Sequence, residues 1–195
     1  MSEQQLIKKA KNGDNDAFSE IMSIYQKRIY NYALKTVGNS DDALDISQEI
    51  FLRLYSAIKN FREQSAFSTY LFRIMANCCN DFLKSKRKTS TIPIYNEDEE
   101  GNITELNIKD EKNNPETEYQ SKELKTLINE AINYIDEDFK RIFILKHINN
   151  LSYEEIAEIL HIEIGTVKSR LYRAREKIKG YIIKNGNNYS YFKSK

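Results

Sequence analysis

A chain of 195 residues that is 40% hydrophobic and 30% charged is long enough for one ordinary domain or two small ones, and its 6 Gly and 2 Pro point to helices. No run approaches the roughly 20 apolar residues of a membrane span, and the start MSEQQLIKKAKNGD lacks the apolar core of a signal peptide, so a cytoplasmic protein without membrane insertion is expected. The formal net charge of +1 hides an acidic strap between two basic blocks: residues 1–88 carry 14 Lys and Arg against 10 Asp and Glu, 89–118 carry 2 against 9, and 119–195 carry 14 against 10. The two cysteines, Cys78 and Cys79, are adjacent and lie far in sequence from His147 and His161. That pattern offers neither a disulfide framework nor a metal-ligand cluster, so packed thiols and no cofactor are expected.

In the first block, Leu6, Ile7 and Ala10 make a short amphipathic helix that Asn12-Gly13-Asp14 stops. The spacing then predicts a longer helix from about Asp16 to Val37, with Phe18, Ile21, Tyr25, Ile29, Tyr32 and Ala33 near one face and Gly38-Asn39-Ser40 as its end. The next helix, DDALDISQEIFLRLYSAIKN, opens with acids, which the helix dipole favours there, and buries Ile46, Ile50 and Leu54 at steps of four. Its exposed side carries Asp45, Gln48, Glu49 and, one turn on, Leu52; alone, this is as readily a solvated face as a contact surface.

The polar loop FREQSAFS, Phe61 to Ser68 with Ser65 inside it, leads into a helix from Phe67 to about Lys88. Phe67, Leu71, Ile74 and Cys78 are expected to pack inward, while Tyr70, Arg73, Asn77, Asn80, Lys84 and Arg87 form an outward stripe at steps of three or four. Such a line suits a single nucleic-acid strand, because cations hold phosphates, an aromatic stacks and an amide bonds a base edge. The alternative is a solvated basic helix ending in KSKRK.

The strap TSTIPIYNEDEEGNITELNIKDEKNNPETE holds both prolines and lacks helical periodicity, so it is expected to be a linker with little structure of its own. An acidic ribbon between basic blocks either repels nucleic acid or mimics it in a basic channel; the plainer alternative is a solubilising spacer. Beyond it, Leu124, Leu127, Ile128, Ala131 and Ile135 predict one amphipathic helix, and Phe139, Ile142, Phe143 and Leu145 another.

The stretch LSYEEIAEILHIEIGTVKSRLYRAREKI, Leu151 to Ile178, predicts two helices joined by a tight turn. Ser152 and Glu155 form a capping box, Ile156, Ala157 and Leu160 supply the first apolar face, and His161 to Gly165 is the turn. In the second helix Val167, Leu171, Ala174 and Ile178 make a buried stripe, while Lys168, Ser169, Tyr172 and Arg173 share another. Those side chains can meet base edges in a major groove, with Thr166 beside them and with Arg170 and Arg175 as phosphate-neutralising flanks. This is a helix-turn-helix with a recognition helix; the alternative is a plain helical hairpin with a basic solvated face.

The run LSYEEIAE…GTVKSRLYRAR closely resembles the carboxy-terminal helix-turn-helix of extracytoplasmic-function (ECF) sigma factors, the small two-domain members of the sigma-70 family that direct bacterial RNA polymerase to promoters. It departs at His161, where Gly or a small residue is commoner, and at Glu163, where Pro is commoner. DALDISQEIFLRLY resembles the family's core-binding segment, whose D-x-x-Q-E pattern docks on a coiled coil of the largest polymerase subunit; this implies that Asp45, Gln48, Glu49 and Leu52 contact core polymerase. The loop and the helix after it resemble the promoter-melting segment F-R-x-x-S-x-F-x-T-W-L-x-R-I-x-x-N, with Tyr70 in place of the usual Trp. The resemblance assigns Phe61, Ser65, Tyr70, Arg73, Asn77, Asn80, Lys84 and Arg87 to the minus-10 element, and Thr166, Lys168, Ser169, Arg170, Tyr172, Arg173 and Arg175 to the minus-35 element. In the family the linker threads toward the polymerase active-site channel.

The expected protein is therefore all-α: a sigma-2-like helical bundle over 1–88, an acidic flexible linker over 89–118, a sigma-4-like helix-turn-helix domain over 119–184 and a polar tail over 185–195. Its expected partners are core RNA polymerase and promoter DNA, with an anti-sigma factor as a further candidate. Paired catalytic carboxylates, a nucleophile-base set and a phosphate-cradling glycine loop are not visible, so a specificity subunit and not an enzyme is expected. A free-standing helix-turn-helix regulator would account for residues 119–182 but leave the Asp45-Gln48-Glu49 helix and the Tyr70–Asn77 stripe unused.

Overall fold

The computed structural model describes residues 1–63, 65–89 and 115–186, with side chains placed through Arg87 and again from Lys122. Most of the acidic strap and most of the tail lie outside the described residues. Within them the chain forms eight α-helices and no strand, in two compact units. Helices α1 to α4 belong to the first, and α5, α6 and α8 to the second.

Helix α1 (Glu3–Lys11) starts on the capping box of Ser2 and Gln5, whose paired bonds measure 3.0 and 3.3 Å, and buries Leu6, Ile7 and Ala10. Helix α2 (Asn15–Val37) is capped by Asp14, which accepts the Ala17 N–H at 3.0 Å. Gly38 ends it at φ 80°, a left-handed conformation that a Cβ disfavours, and returns its N–H to the Leu34 carbonyl. The buried row Ile21, Tyr25, Ile29, Tyr32 and Ala33 makes α2 the spine against which α1, α3 and α4 pack.

Helix α3 (Ser40–Ala57) begins on Asn39, which caps Asp42, and buries Ala43, Ile46, Ser47, Ile50 and Leu54 before a 3-10 turn at Ile58–Asn60. Helix α4 (Phe67–Thr89) buries Phe67, Leu71 and Cys78, but Ile74 is only half-buried, while Phe72, Met75, Ala76 and Cys79 are buried as well. The single inward stripe expected from the sequence is too narrow because α4 packs against both α2 and α3 and so needs two covered faces. Burying such a large apolar side chain contributes about 1.5–3 kcal/mol each, which makes α4 a core element before it is anything else. Both cysteines are free and buried, and burial pushes the Cys78 thiol up to about 11.

Helix α5 (Pro115–Tyr134) begins inside the stretch expected to be linker. Proline is suited to the first helical position, where its fixed φ matches the helix and its missing N–H costs nothing, so the residue taken as a breaker is a starter. Helix α6 (Glu137–Phe143) runs into a π-helical turn at Ile144–Ile148, closed by the Asn149 N–H to the Ile144 carbonyl at 3.1 Å. Ala131, Ile132 and Ile135 of α5 pack with Ala174 and Ile178 of α8 (Ile164–Asn185). Lys140 is buried among these helices, 8% exposed, with its Nζ donating to Asn133 Oδ1 at 2.8 Å; burial lowers its pKa to about 8. Helix α7 (Tyr153–Leu160) completes the set.

Candidate nucleic-acid interface

The turn between α7 and α8 is built from local bonds. Ser152 N–H donates to Glu155 Oε2 at 2.7 Å and Glu155 N–H to Ser152 Oγ at 3.1 Å, the reciprocal cap predicted for α7. Ile156 and Ile159 are buried, with Ala157 and Leu160 half-buried, so the apolar face lies slightly to the side of the one expected. His161 leaves α7 at φ 53°, the left-handed region where a Cβ is strained, which accounts for a glycine being common at that place. Glu163 caps α8 in extended backbone at φ −66°, an angle proline also takes, and makes no side-chain cap bond.

Helix α8 separates its two faces as the spacing predicts. Val167, Leu171, Ala174 and Ile178 are buried, while Lys168, Ser169, Tyr172 and Arg173 are exposed, Tyr172 at 66%. Ser169 Oγ donates to the Thr166 carbonyl at 3.1 Å, which leaves the hydroxyl oxygen able to accept. The flanking arginines are held: Arg170 lies 3.7 Å from Asp138, and Arg175 Nε donates to His147 Nε2 at 3.2 Å. The π turn delivers that histidine, and with it Lys146, which donates to the Leu151 carbonyl and sits 4.8 Å over the Tyr153 ring. Lys168 approaches the same ring at 6.0 Å. Burial, and then Arg175 and Lys146, push the His147 pKa down, which keeps Nε2 an acceptor. His147, Lys146 and Tyr153 were not singled out from the sequence, because a π turn has no amphipathic period to betray it.

On α4 the outward stripe is less open. Phe61 is 5% exposed and so shapes its loop from beneath. Tyr70 is half-buried, its ring 4.9 Å from Phe61 and 6.5 Å from Phe67, and its hydroxyl donates to the Ala57 carbonyl at 3.1 Å. Ser65, Arg73 and Asn80 are half-buried, and Asn77, Lys84 and Arg87 are exposed. On α3, Asp45, Gln48, Glu49 and Leu52 are all exposed along one side, Leu52 at 65%. Glu49 accepts from Arg53 Nε at 2.6 Å, and the same guanidinium donates to Asp81 of α4 at 2.9 Å, a relay no local motif announces. Among the described residues no group of three or more His, Cys, Asp or Glu is placed to hold a metal, and no helix is long and apolar enough to cross a membrane.

Residues 21–89 match Sigma-70 region 2 and residues 125–178 match Sigma-70, region 4. The ECF RNA polymerase sigma-E factor of Haemophilus influenzae is 35% identical over 183 residues, which cover 93% of this chain and 96% of that protein. The chain belongs to the ECF sigma factors of RNA polymerase. ECF sigma factor SigW of Bacillus subtilis is similar at 36% identity over 173 residues, 89% of this chain and 92% of its own. In fold, this ECF sigma factor is similar to CnrH, solved in complex with the cytosolic domain of CnrY, with a TM-score of 0.67 at 19% identity over 94% of this chain and 98% of that one. Sigma factor RpoE of Bartonella quintana, solved with the anti-sigma factor NepR, gives 0.64 at 20% identity over 85% and 96%.

Proposed function

We propose that this ECF sigma factor docks on core RNA polymerase through Asp45, Gln48, Glu49 and Leu52 of α3 and reads the minus-35 element as duplex with α8. In the same reading, the Phe61–Ser68 loop and α4 capture and help open the minus-10 element. The protein supplies no chemistry of its own and works in the cytoplasm as a specificity subunit. The observation that carries this is the split of α8: Lys168, Ser169, Tyr172 and Arg173 stand exposed over a fully buried stripe, which is what major-groove readout by one helix requires. A free-standing regulator is disfavoured because region 2 and region 4 both match in one chain. The NepR complex of a similar fold supports an anti-sigma factor as a further partner class.

For the minus-10 step, exposed Asn77 supplies an amide at the edge of the loop, Lys84 and Arg87 offer phosphate contacts further along α4, and Tyr70, Arg73, Asn80 and Ser65 shape the ground between. Selection of randomised upstream DNA by reconstituted holoenzyme tests the α8 assignment. Arg173→Ala should cost about 1 to 3 kcal/mol and relax preference at one or two base pairs, whereas Arg175→Ala should weaken binding evenly and flatten its salt dependence. An unchanged base preference for the Arg173 variant would remove that residue from readout.

A further inference from the structure

We propose that Lys11 on α1 is a positioning residue for the loop that reads the minus-10 strand, and that it acts through Glu63; the proposal rests on that assignment of the loop. Glu63 sits at φ 57°, in the left-handed region that a side chain with a Cβ enters at a cost. A residue held there persists when its surroundings over-determine it. Glu63 has little burial to do this, its side chain being 64% exposed. What it has is Lys11, whose Nζ stands 3.0 Å from Glu63 Oε1 and 5.9 Å over the ring of Phe61.

Lys11 can serve as a strut because α1 is itself fixed. Leu6, Ile7 and Ala10 are buried, the Glu3 carboxylate accepts the Tyr25 hydroxyl of α2, and α1 packs on the 58–60 turn that opens the loop. The loop is pinned at its two ends by Phe61 and Phe67, 5% and 6% exposed. Between α1 and the loop lies an open cleft of about 670 Å³ lined by Glu3, Gln4, Lys8, Phe61, Ala66 and Phe67. Packing therefore does not set the height of the loop over α1 along its length, and Lys11 sets it at one point. An ion pair this exposed contributes little to stability, so its loss should appear in the placement of the loop and not in the melting temperature.

The test uses the full chain in holoenzyme and counts permanganate-reactive thymines on a duplex promoter. Lys11→Met should lower open complex about five-fold while leaving thermal stability and competition for core polymerase unchanged, and Lys11→Arg should restore it. Asparagine enters the left-handed region several-fold more readily than other side chains, so Glu63→Asn keeps the backbone without the ion pair. Glu63→Asn should open promoters nearly as well as the natural chain, and Lys11→Met added to it should change opening by less than about two-fold. Equal losses from Lys11→Met in both backgrounds would make Lys11 a direct phosphate contact and overturn the proposal, as would no loss in the natural background. Asn77→Ala separates the two levels. If it lowers opening while Lys11→Met does not, only the strut is wrong; if neither does, the assignment of the loop has failed as well.

Discussion

Helix α8 buries Val167, Leu171, Ala174 and Ile178 on one stripe and leaves its DNA-facing side chains in solvent, whereas α4 is covered on two sides and keeps Tyr70 half inside, tied to Ala57. The first arrangement suits a helix that enters a groove whose edges are already displayed. The second suits a surface to which bases must be brought, where the aromatic group is part of the wall before any strand arrives. The difference shows that equal periodicity in a sequence does not mean equal freedom: side chains on α8 can change with little cost to the fold, and those around Tyr70 cannot.

The sharpest way to break that comparison is to truncate one aromatic from each side. Phe61→Ala should destabilise the first unit by about 3–5 kcal/mol, seen as faster hydrogen exchange in α1 to α4 with α5 to α8 unaffected. Tyr172→Ala, at a position 66% exposed, should leave stability within about 0.5 kcal/mol while weakening upstream DNA binding. Equal destabilisation by the two would end the distinction.

Next in size is the buried cation of the second unit. Lys140 has its pKa lowered from 10.5 to about 8, so between those values the unfolded chain binds a proton that the folded chain does not, and stability rises with pH across that window. Below about pH 8 the full penalty applies. Lys140→Met should therefore raise stability at neutral pH by up to about 3 kcal/mol and abolish the rise, measured by urea titrations from pH 7 to 10.5. A parallel pH profile for the variant would mean that Lys140 reaches water.

Tyr70→Phe should cost about 1 kcal/mol by leaving the Ala57 carbonyl without its partner, and should slow promoter opening without touching minus-35 binding. If opening is unchanged, the tether has no part in the wall. The smallest effect is a gain: His161→Gly should stabilise the second unit by about 0.5–1 kcal/mol, because glycine takes the left-handed conformation freely and exposed His161 surrenders no packing. Differential scanning calorimetry would show it, and a loss would place an unseen role on the imidazole.

The local rules carried much of this architecture. The Ser152 box, the α8 stripes and the Gly38 stop all lie where the spacing places them, since each depends on residues three or four apart. What the spacing missed depends on partners far along the chain or on geometry without a period. Phe72, Met75 and Cys79 are buried because α4 meets two helices, which no single-helix pattern can state. Arg53 joins Glu49 to Asp81 across 28 residues, and His147 meets Arg175 across another 28. Pro115 misled because the same ring that breaks a helix interior suits a helix start.

The π turn at Ile144–Ile148 has a consequence for how the chain tolerates changes of length. Its closing bond spans one residue more than an α-helical bond, so deleting any residue within it lets the backbone revert to ordinary helix. Each residue turns a helix by about 100°, so the deletion would swing whatever follows it by that amount instead of merely shortening the path. Lys146 would lose the face of Tyr153 and His147 would lose Arg175. A gap that a surface loop would absorb as slack is felt at this point as a rotation beneath the recognition helix.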